Sequence, residues 1–338
     1  MKRLLLSAAF ALVPVLSHAE ASQEIISKIV TANILSGFDN LALQTARFEK
    51  TARSDCTPTS DALRGSYADA FDAWLSVSHL RFGPTEVGDR AFALAFWPDS
   101  RGATPRTLAS LITDEDPVAS DPDSYADVSI AARGFYAMEL LLFDETLAPS
   151  TNPEYRCTLI QTVAADMAKN SATIAQDWKM NYASQLLEPA VDRAYRSDEE
   201  VLQELFKALT TGLQFTSETR LGRPLGTYDR PRPTRAEAWR AGRSARHVAL
   251  SLDALRDLAL DLASNDPALS AQIADGFDIA LTQLSGLDDP IFAGVAEPQT
   301  RLRIEILQQS VDAIRTVVRE ELGPTLGVAA GFNSLDGD

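Results

Sequence analysis

The stretch that decides the fold is RGFYAMELLLF at residues 133–143, an apolar run with a single carboxylate, Glu139, near its middle. Its composition is typical of a buried helix, and Tyr136, three residues before Glu139, would lie on the same helical face. Burying a bare carboxylate is costly, so we expect Glu139 to be paired, protonated, bound to a cation or placed at a wet interface.

Outside this stretch, apolar residues recur every three to four positions along nearly the whole chain, and no strand-like alternation of useful length appears. A Gly83-Pro84 pair stops the second helix, and Asp266 is a predicted N-cap. The pattern predicts an all-α protein with helices at residues 25–51, 63–81, 106–112, 124–143, 153–187, 197–221, 234–263, 266–286 and 299–322.

The length and the short turns favour two up-and-down helical-bundle halves packed around a central cleft. We predict an N-terminal bundle with the Glu139 helix at residues 20–190, a C-terminal bundle at 191–326 and a flexible tail at 327–338. The chain opens with a basic Lys2-Arg3 pair, an apolar run and Ser17-His18-Ala19, which is typical of a signal peptide at residues 1–19. No Cys follows the cleavage site, so we expect an unlipidated protein of the periplasm with no transmembrane segment after cleavage.

The charge balance argues against one class of function, and the cysteine content indicates the cellular compartment. With 31 Lys+Arg against 47 Asp+Glu the chain is strongly acidic, which argues against binding nucleic acid. The two cysteines, Cys56 and Cys157, predict one structural disulfide in an oxidising compartment. The alternative, a pair of thiolate metal ligands, lacks the usual Cys-x-x-Cys spacing.

The central stretch also resembles a known signature. Gly134, Tyr136 and Glu139 match the Gly-x-His-x-x-Glu motif of the imelysin family, with Tyr136 where the family usually has His. Three further segments are similar to recurrent family elements: Ala73-Trp74-Leu75 leading into His79-Leu80-Arg81-Phe82-Gly83-Pro84, Phe96-Trp97-Pro98-Asp99, and Gly242-Arg243-Ser244, which in the family faces the signature helix.

The resemblance implies a helical protein of the periplasm or cell surface that is tied to iron acquisition. It implies partners among envelope iron-uptake components, since the same domain occurs in a periplasmic component of a ferrous-iron uptake system. It implies iron or another divalent cation as the cofactor class, and a site in the cleft near Glu139. The family is also classed as a metallopeptidase after one founding member.

The roles of the two signature side chains stay open at this point. Glu139 could be an oxygen ligand for a cation or a carboxylate salt-bridged to Arg81 or Arg243. Tyr136 is a poor ligand for ferrous iron or zinc and a credible one for ferric iron as phenolate. A tyrosine on an apolar helix is more often a core residue with its hydroxyl bonded, and we favour that role.

The two histidines of the predicted mature chain are also ambiguous. His79 lies one turn before the predicted helix end, where the helix dipole would favour an imidazolium, and a ligand role is the alternative. His247 shares a predicted helical stripe with Trp239 and Arg243, which we interpret as a solvated face.

A zinc peptidase is disfavoured, because the chain has no His-Glu-x-x-His and its signature His is replaced. Catalysis by the protein is uncertain, and we predict a binding or accessory protein for iron acquisition. A metallopeptidase and a non-catalytic protein-interaction module are the alternatives. The predicted ligand site comprises Glu139, Tyr136, Arg81, Arg243, Ser244 and His79, with Gly134, Gly83, Pro84 and Trp97 as structural motif residues.

Overall fold

The computed structural model describes residues 13–147 and 152–328, with side chains from residue 20 onward. Within these ranges the chain is helical and contains no strand, apart from an isolated antiparallel bridge between Thr227 and Arg230. The α-helices in chain order are α1 (Val13–Lys28), α2 (Ser36–Ser54), α3 (Asp61–Val77), α4 (Arg90–Leu94), α5 (Ala103–Asp114), α6 (Pro122–Tyr125), α7 (Gly134–Phe143), α8 (Pro153–Asp177), α9 (Ala183–Leu187), α10 (Asp198–Gln214), α11 (Gly222–Leu225), α12 (Ser244–Leu262), α13 (Pro267–Ser285), α14 (Pro298–Val317) and α15 (Gly323–Thr325).

Several of these helices are joined directly by wider π-helical turns. They connect α1 to α2, α8 to α9, α10 to α11 and α14 to α15, at Ile29–Leu35, Trp178–Tyr182, Phe215–Leu221 and Val318–Leu322. A π-turn inserts an extra residue into a helix and shifts the faces on either side of it. The third of these turns is the one that carries a residue of the candidate site, Arg220.

The long helices form two neighbouring groups. In the first, α2 packs against α3 and α8, and α7 packs against α8. In the second, α12 packs against α10 and α13, and α13 against α14. Contacts between α3 and α12 join the groups, and the buried apolar residues form one continuous core from Ile25 to Val328. The prediction of an all-α fold is confirmed.

The predicted disulfide is also confirmed. Cys56 and Cys157 are bonded across a sequence separation of 101 residues, with their Cα atoms 5.2 Å apart. The bond connects the turn between α2 and α3 to the first turn of α8. It therefore ties the α2–α3 hairpin to α8, the helix against which α7 packs.

Three predicted helix boundaries are wrong, and each lies near the candidate site. Helix α3 ends at Val77 rather than at residue 81. The central helix begins at Gly134 rather than at residue 124, because the preceding chain is broken into short turns. The helix predicted from residue 234 begins at Ser244, and an irregular segment precedes it.

The ends of the chain lie largely outside the described residues. Of the predicted signal peptide, residues 1–12 fall outside, and the backbone of 13–19 belongs to α1; of the predicted tail, residues 329–338 fall outside. The predicted division near residue 190 falls in the irregular segment between α9 and α10. None of the helices that the structure describes combines the length and apolar character needed to cross a membrane.

Candidate functional site

Helix α7 is the centre of the site, and it is buried on all sides. Every residue from Gly134 to Leu142 is buried, which fits a helix whose sequence is apolar all round rather than along one stripe. Its C-terminal carbonyls accept hydrogen bonds from two arginines of flanking helices. Arg64 of α3 donates to the Leu142 carbonyl at 2.6 Å, and Arg156 of α8 donates to the Leu141 carbonyl. Cations at this end are also favoured by the helix dipole.

The start of α7 depends on Gly134. Its φ of +72° lies in the left-handed region that favours glycine. A Cβ at this position would lie 2.1 Å from the Leu94 carbonyl oxygen and 2.4 Å from that of Ala93. The signature glycine therefore lets the chain turn into α7 while in contact with the backbone of α4.

Glu139 is 4% exposed and is held by backbone groups. Its Oε1 accepts hydrogen bonds from the amides of Arg240 at 2.9 Å and Ala241 at 3.2 Å. Burial raises the pKa of Glu139 to about 7, although the two amides and the Arg240 charge act in the opposite direction. Glu139 thus titrates near neutral pH. The salt bridge to Arg81 or Arg243 that the sequence left open is not formed.

Tyr136 belongs to a buried ionic network. Its hydroxyl donates a hydrogen bond to Oε1 of Glu237, while Arg220 Nε donates to Oε2 of the same carboxylate at 2.8 Å. Burial alone would raise the pKa of Glu237, but the Arg220 charge outweighs it, with help from His247 and Tyr136, and lowers the pKa to about 2. Burial and Glu237 raise the pKa of Tyr136 well above its usual value, so this side chain is a neutral phenol.

His247 is fully buried beside this network, so its interpretation as part of a solvated face is wrong. Its ring contacts Phe71 at 4.3 Å between centroids, and its Nδ1 lies 3.4 Å from Oε2 of Glu237. Neither ring nitrogen has a hydrogen-bond partner within the described part of the chain. Burial lowers the pKa of His247 despite the neighbouring carboxylate, which favours the neutral imidazole.

A pocket of about 240 Å³ opens next to Tyr136 and Glu139. Its walls come from three parts of the chain: the segment before α5, helix α7, and the region from α11 to the segment before α12. The lining residues are Phe96, Trp97, Asp99, Gly102, Thr104, Pro105, Tyr136, Glu139, Leu140, Arg223, Thr234, Arg235, Ala236, Ala238, Trp239 and Arg240. Both helix groups therefore contribute to it.

Two of the other charged residues in the wall already have partners of their own. Arg240 donates to Asp144 at 2.8 Å. Asp99 accepts the backbone amides of Ala103 at 2.9 Å and Thr104 at 2.8 Å, and so caps the start of α5. These bonds lower the pKa of Asp99 even though burial opposes them.

Arg223 and Arg235 give the pocket an excess of positive charge, although the Asp99 carboxylate in the same wall favours the charged form of Arg223. Neither forms an ion pair with any carboxylate in the described ranges, and the Nε of Arg223 is buried without a hydrogen-bond partner. Arg223 lies over the Trp97 ring at 5.8 Å, and burial together with the Arg235 charge lowers its pKa. The pocket therefore combines two unpaired cations with a carboxyl group that is easily protonated.

Several predicted site residues lie away from the pocket. Arg81 follows the end of α3 and pairs with Glu86 at 2.7 Å. Arg243 bonds Asp72 on α3. Ser244, at the start of α12, is buried and its Oγ has no partner among the described residues.

His79 is also outside the pocket. It lies beyond the end of α3, so the helix-dipole argument for a charged imidazole is wrong. Burial, followed by the Arg220 charge, lowers its pKa to about 4. The motif residue Gly83 has a φ of +62°, and a Cβ there would lie 2.6 Å from the Tyr182 ring, while Pro84 is buried next to it. Trp97 is the predicted motif residue that reaches the pocket, where it stacks near Tyr136 at 6.2 Å.

Sequence reasoning missed Glu237, Arg220, Arg223, Arg235 and Arg240. A compositional signal was present, because residues 220–246 carry eight arginines in a chain with only 31 basic residues. Four of these arginines pair with Asp72, Asp144 or Glu237 in the folded protein. The arginine-rich stretch at residues 220–246 therefore contributes both to the interface between the helix groups and to the pocket wall.

The side chains present do not fit a bare metal ion. The Glu237 carboxylate is taken up by Arg220 and Tyr136, one oxygen of Glu139 by two amides, and the Tyr136 phenol keeps its proton. A protein-bound metal normally needs several deprotonated ligands with available lone pairs. In residues 20–147 and 152–328, no group of three or more His, Cys, Asp or Glu side chains is arranged to hold a metal.

Comparison with known proteins identifies the family. The imelysin family model (peptidase M75) matches residues 34–318. The chain belongs to the imelysin family. A crystal structure of an imelysin-like protein from Psychrobacter arcticum 273-4 is similar over 97% of this chain and 100% of that chain, with 20% identity and a TM-score of 0.79.

A second crystal structure is also similar to this chain. It is that of a protein named as an iron-regulated protein A precursor from Parabacteroides distasonis ATCC 8503. It covers 89% of this chain and 94% of its own, with 10% identity and a TM-score of 0.73. No curated protein matches the chain significantly. At these identities the structural similarity establishes the fold and does not identify a ligand or an activity for this chain.

Proposed function

We propose that this imelysin-family chain is an exported binding protein of the periplasm that serves iron acquisition and takes up its ligand in the pocket beside Glu139. The observation that carries the proposal is the unbalanced charge of that pocket. A cavity lined by apolar rings and a few convergent polar groups is typical of a small-molecule site. Arg223 and Arg235 supply cations that form no ion pair among the described residues, and Glu139 supplies a carboxyl group that can donate or accept a hydrogen bond.

Export is supported by two independent features. The first 19 residues have the basic, apolar and small-residue pattern of a signal peptide. The Cys56–Cys157 disulfide is typical of proteins in oxidising compartments and rare in the cytosol of mesophiles. In this setting envelope iron-uptake components are the expected partners, and co-purification from envelope extracts would identify them.

The connection with iron rests on the family and on the iron-regulated name of one structural neighbour. Since the donor atoms do not suit a bare ion, the ligand we propose is a polar molecule rather than a coordinated metal. Calorimetry with ferrous, ferric, zinc and copper ions should therefore show no binding that disappears in Glu139→Gln. Tight binding that does depend on Glu139 would contradict this part of the proposal.

A growth assay tests the pocket itself. Thr234 lines the pocket and is exposed, so Thr234→Trp should fill the pocket without disturbing the core. Thr59→Trp places the same side chain at an exposed position that does not line the pocket. In a strain lacking the gene, we expect wild type and Thr59→Trp to restore iron-limited growth and Thr234→Trp to fail. An iron-independent phenotype of the deletion strain, or full rescue by Thr234→Trp, would contradict the proposal.

A further inference from the structure

A basic loop follows α11 and contributes to the pocket. Arg223, Arg230, Arg232 and Arg235 lie within residues 223–235, where Asp229 is the only acidic residue. None of the four forms an ion pair within the described ranges, although acidic residues outnumber basic ones by 47 to 31 in the chain. In an acidic protein, an unpaired basic cluster at a pocket is a specific feature rather than a property of the whole surface.

Two of these arginines converge at the pocket. Arg223 and Arg235 both line it, and the charge of Arg235 disfavours the charged form of Arg223. Arg223 also has a buried Nε with no hydrogen-bond partner among the described residues. A guanidinium left in this state carries an unmet desolvation cost. An anion placed between the two side chains would relieve the repulsion.

The other walls of the pocket indicate what kind of anion it is. Trp97 and Trp239 provide flat apolar surfaces, which suit a carbon skeleton better than an inorganic ion. Glu139 sits at the same pocket with a pKa raised to about 7 by burial, so near neutral pH it can donate a hydrogen bond. A carboxyl donor of this kind favours an acceptor group on the ligand.

We propose that the pocket binds a small organic acid, with one carboxylate held between Arg223 and Arg235, its skeleton against Trp97 and Trp239, and an acceptor group facing Glu139. This inference rests on the proposed function of the same pocket. Guanidinium groups match carboxylate geometry with paired hydrogen bonds. Carboxylate oxygens are also hard ligands for iron, so the acid could enter free or as its ferric complex.

Isothermal calorimetry at about pH 6 tests the proposal with citrate and ferric citrate as probes and inorganic phosphate as the comparison. We expect wild type to bind at least one citrate form more tightly than phosphate. Arg223→Gln and Arg235→Gln should each weaken this binding by about 10- to 100-fold, the loss expected for a charge-assisted hydrogen bond. Arg319→Gln removes one exposed charge elsewhere and should leave binding unchanged. Comparison of the two citrate titrations shows whether the free acid or the complex is preferred.

The outcomes separate this inference from the proposed function. Failure of wild type to bind either citrate form, tighter binding of phosphate, or unchanged citrate binding in both arginine variants would overturn the organic-acid proposal. If Thr234→Trp still fails to restore iron-limited growth in that case, the pocket remains the functional site and only the ligand class is wrong. Circular dichroism of each variant verifies that it is folded, and because neither arginine is ion-paired, both variants should retain the fold.

Discussion

The hydroxyl of Tyr136 on α7 hydrogen-bonds the carboxylate of Glu237, which lies 101 residues later in the irregular segment before α12. This bond joins the two helix groups through buried polar atoms. Arg220 completes the interaction from the π-helical turn after α10. The tyrosine that replaces the signature histidine therefore has a structural partner of its own.

Tyr136→Phe should lower the free energy of unfolding by about 1.5–3 kcal/mol, because it removes a buried hydrogen bond to a charged acceptor. Tyr155→Phe is the matched control, since it deletes a half-buried hydroxyl that donates to a neutral backbone carbonyl at 3.0 Å. Its cost should be about 1 kcal/mol. Urea unfolding of both variants measures the difference. Equal losses would show that the Glu237 interaction adds nothing to stability.

The ionisation of Glu139 makes stability depend on pH. Its pKa is about 7 in the folded protein against an ordinary value of 4.5. Between these two pH values the folded state keeps a proton that the unfolded state has lost, so stability falls as pH rises. At about 1.4 kcal/mol per pH unit, the loss over this window is about 3 kcal/mol. Glu139→Gln should remove this loss, and urea unfolding from about pH 2 to pH 8 measures it.

The Glu237 carboxylate gives this experiment an internal control of opposite sign. Its folded-state pKa is about 2 against 4.5, so its contribution is complete above pH 4.5 and disappears as pH falls toward 2. Glu139→Gln should leave that acid transition in place. Parallel stability curves for wild type and Glu139→Gln above pH 4.5 would contradict the raised pKa of Glu139.

The sequence predicts the local features of this site better than its tertiary contacts. Local signals predict well: helical periodicity gives the all-α fold, and the N-cap at Asp266 is as expected. The segment before α12 was predicted as helix because Thr234-Arg235-Ala236-Glu237 has the form of a helix start. Tertiary contacts override that preference, since the amides of Arg240 and Ala241 bond Glu139 instead of a preceding carbonyl.

The partners of Glu237 were missed for a related reason. Tyr136 and Arg220 are separated from it by 101 and 17 residues, and neither separation leaves a periodic signal. The early end of α3 had the same effect on Arg81, because one misplaced boundary moves a side chain to another face. The buried acid on α7, Glu139, could therefore be found from the sequence, whereas the amides that bond it and the partners of Glu237 could not.

Gly134→Ala should be severely destabilising, by more than about 4 kcal/mol, because the new Cβ would overlap rigid backbone carbonyls at 2.1 and 2.4 Å. Gly242→Ala is the matched control. Its φ of +71° is nearly the same, but no atom lies within 4 Å of its Cβ position, so only backbone strain of about 1–2 kcal/mol applies. Thermal and urea unfolding distinguish the two. Similar losses would show that the close approach of α4 is not what requires this glycine.

Removal of the disulfide should loosen α7 as well as destabilise the chain. Cys157 follows Arg156, and Cys56 lies just before the helix that carries Arg64; these two arginines hold the C-terminal carbonyls of α7. Because the bond closes a loop of about 100 residues, the entropy model predicts a loss of about 4–5 kcal/mol in the Cys56→Ala/Cys157→Ala variant. Reducing agent should weaken wild type and leave this variant unchanged.

Hydrogen exchange then separates a global effect from a local one. The amide of Asp144 donates to the Leu140 carbonyl at the end of α7, whereas that of Gly286 closes α13 in the second helix group. If the disulfide positions the two arginines, exchange at Asp144 should accelerate more than exchange at Gly286 in the variant. Equal acceleration at both amides would mean that the bond acts only on the unfolded chain. In that case the end of α7, and with it Glu139, keeps its position without the disulfide.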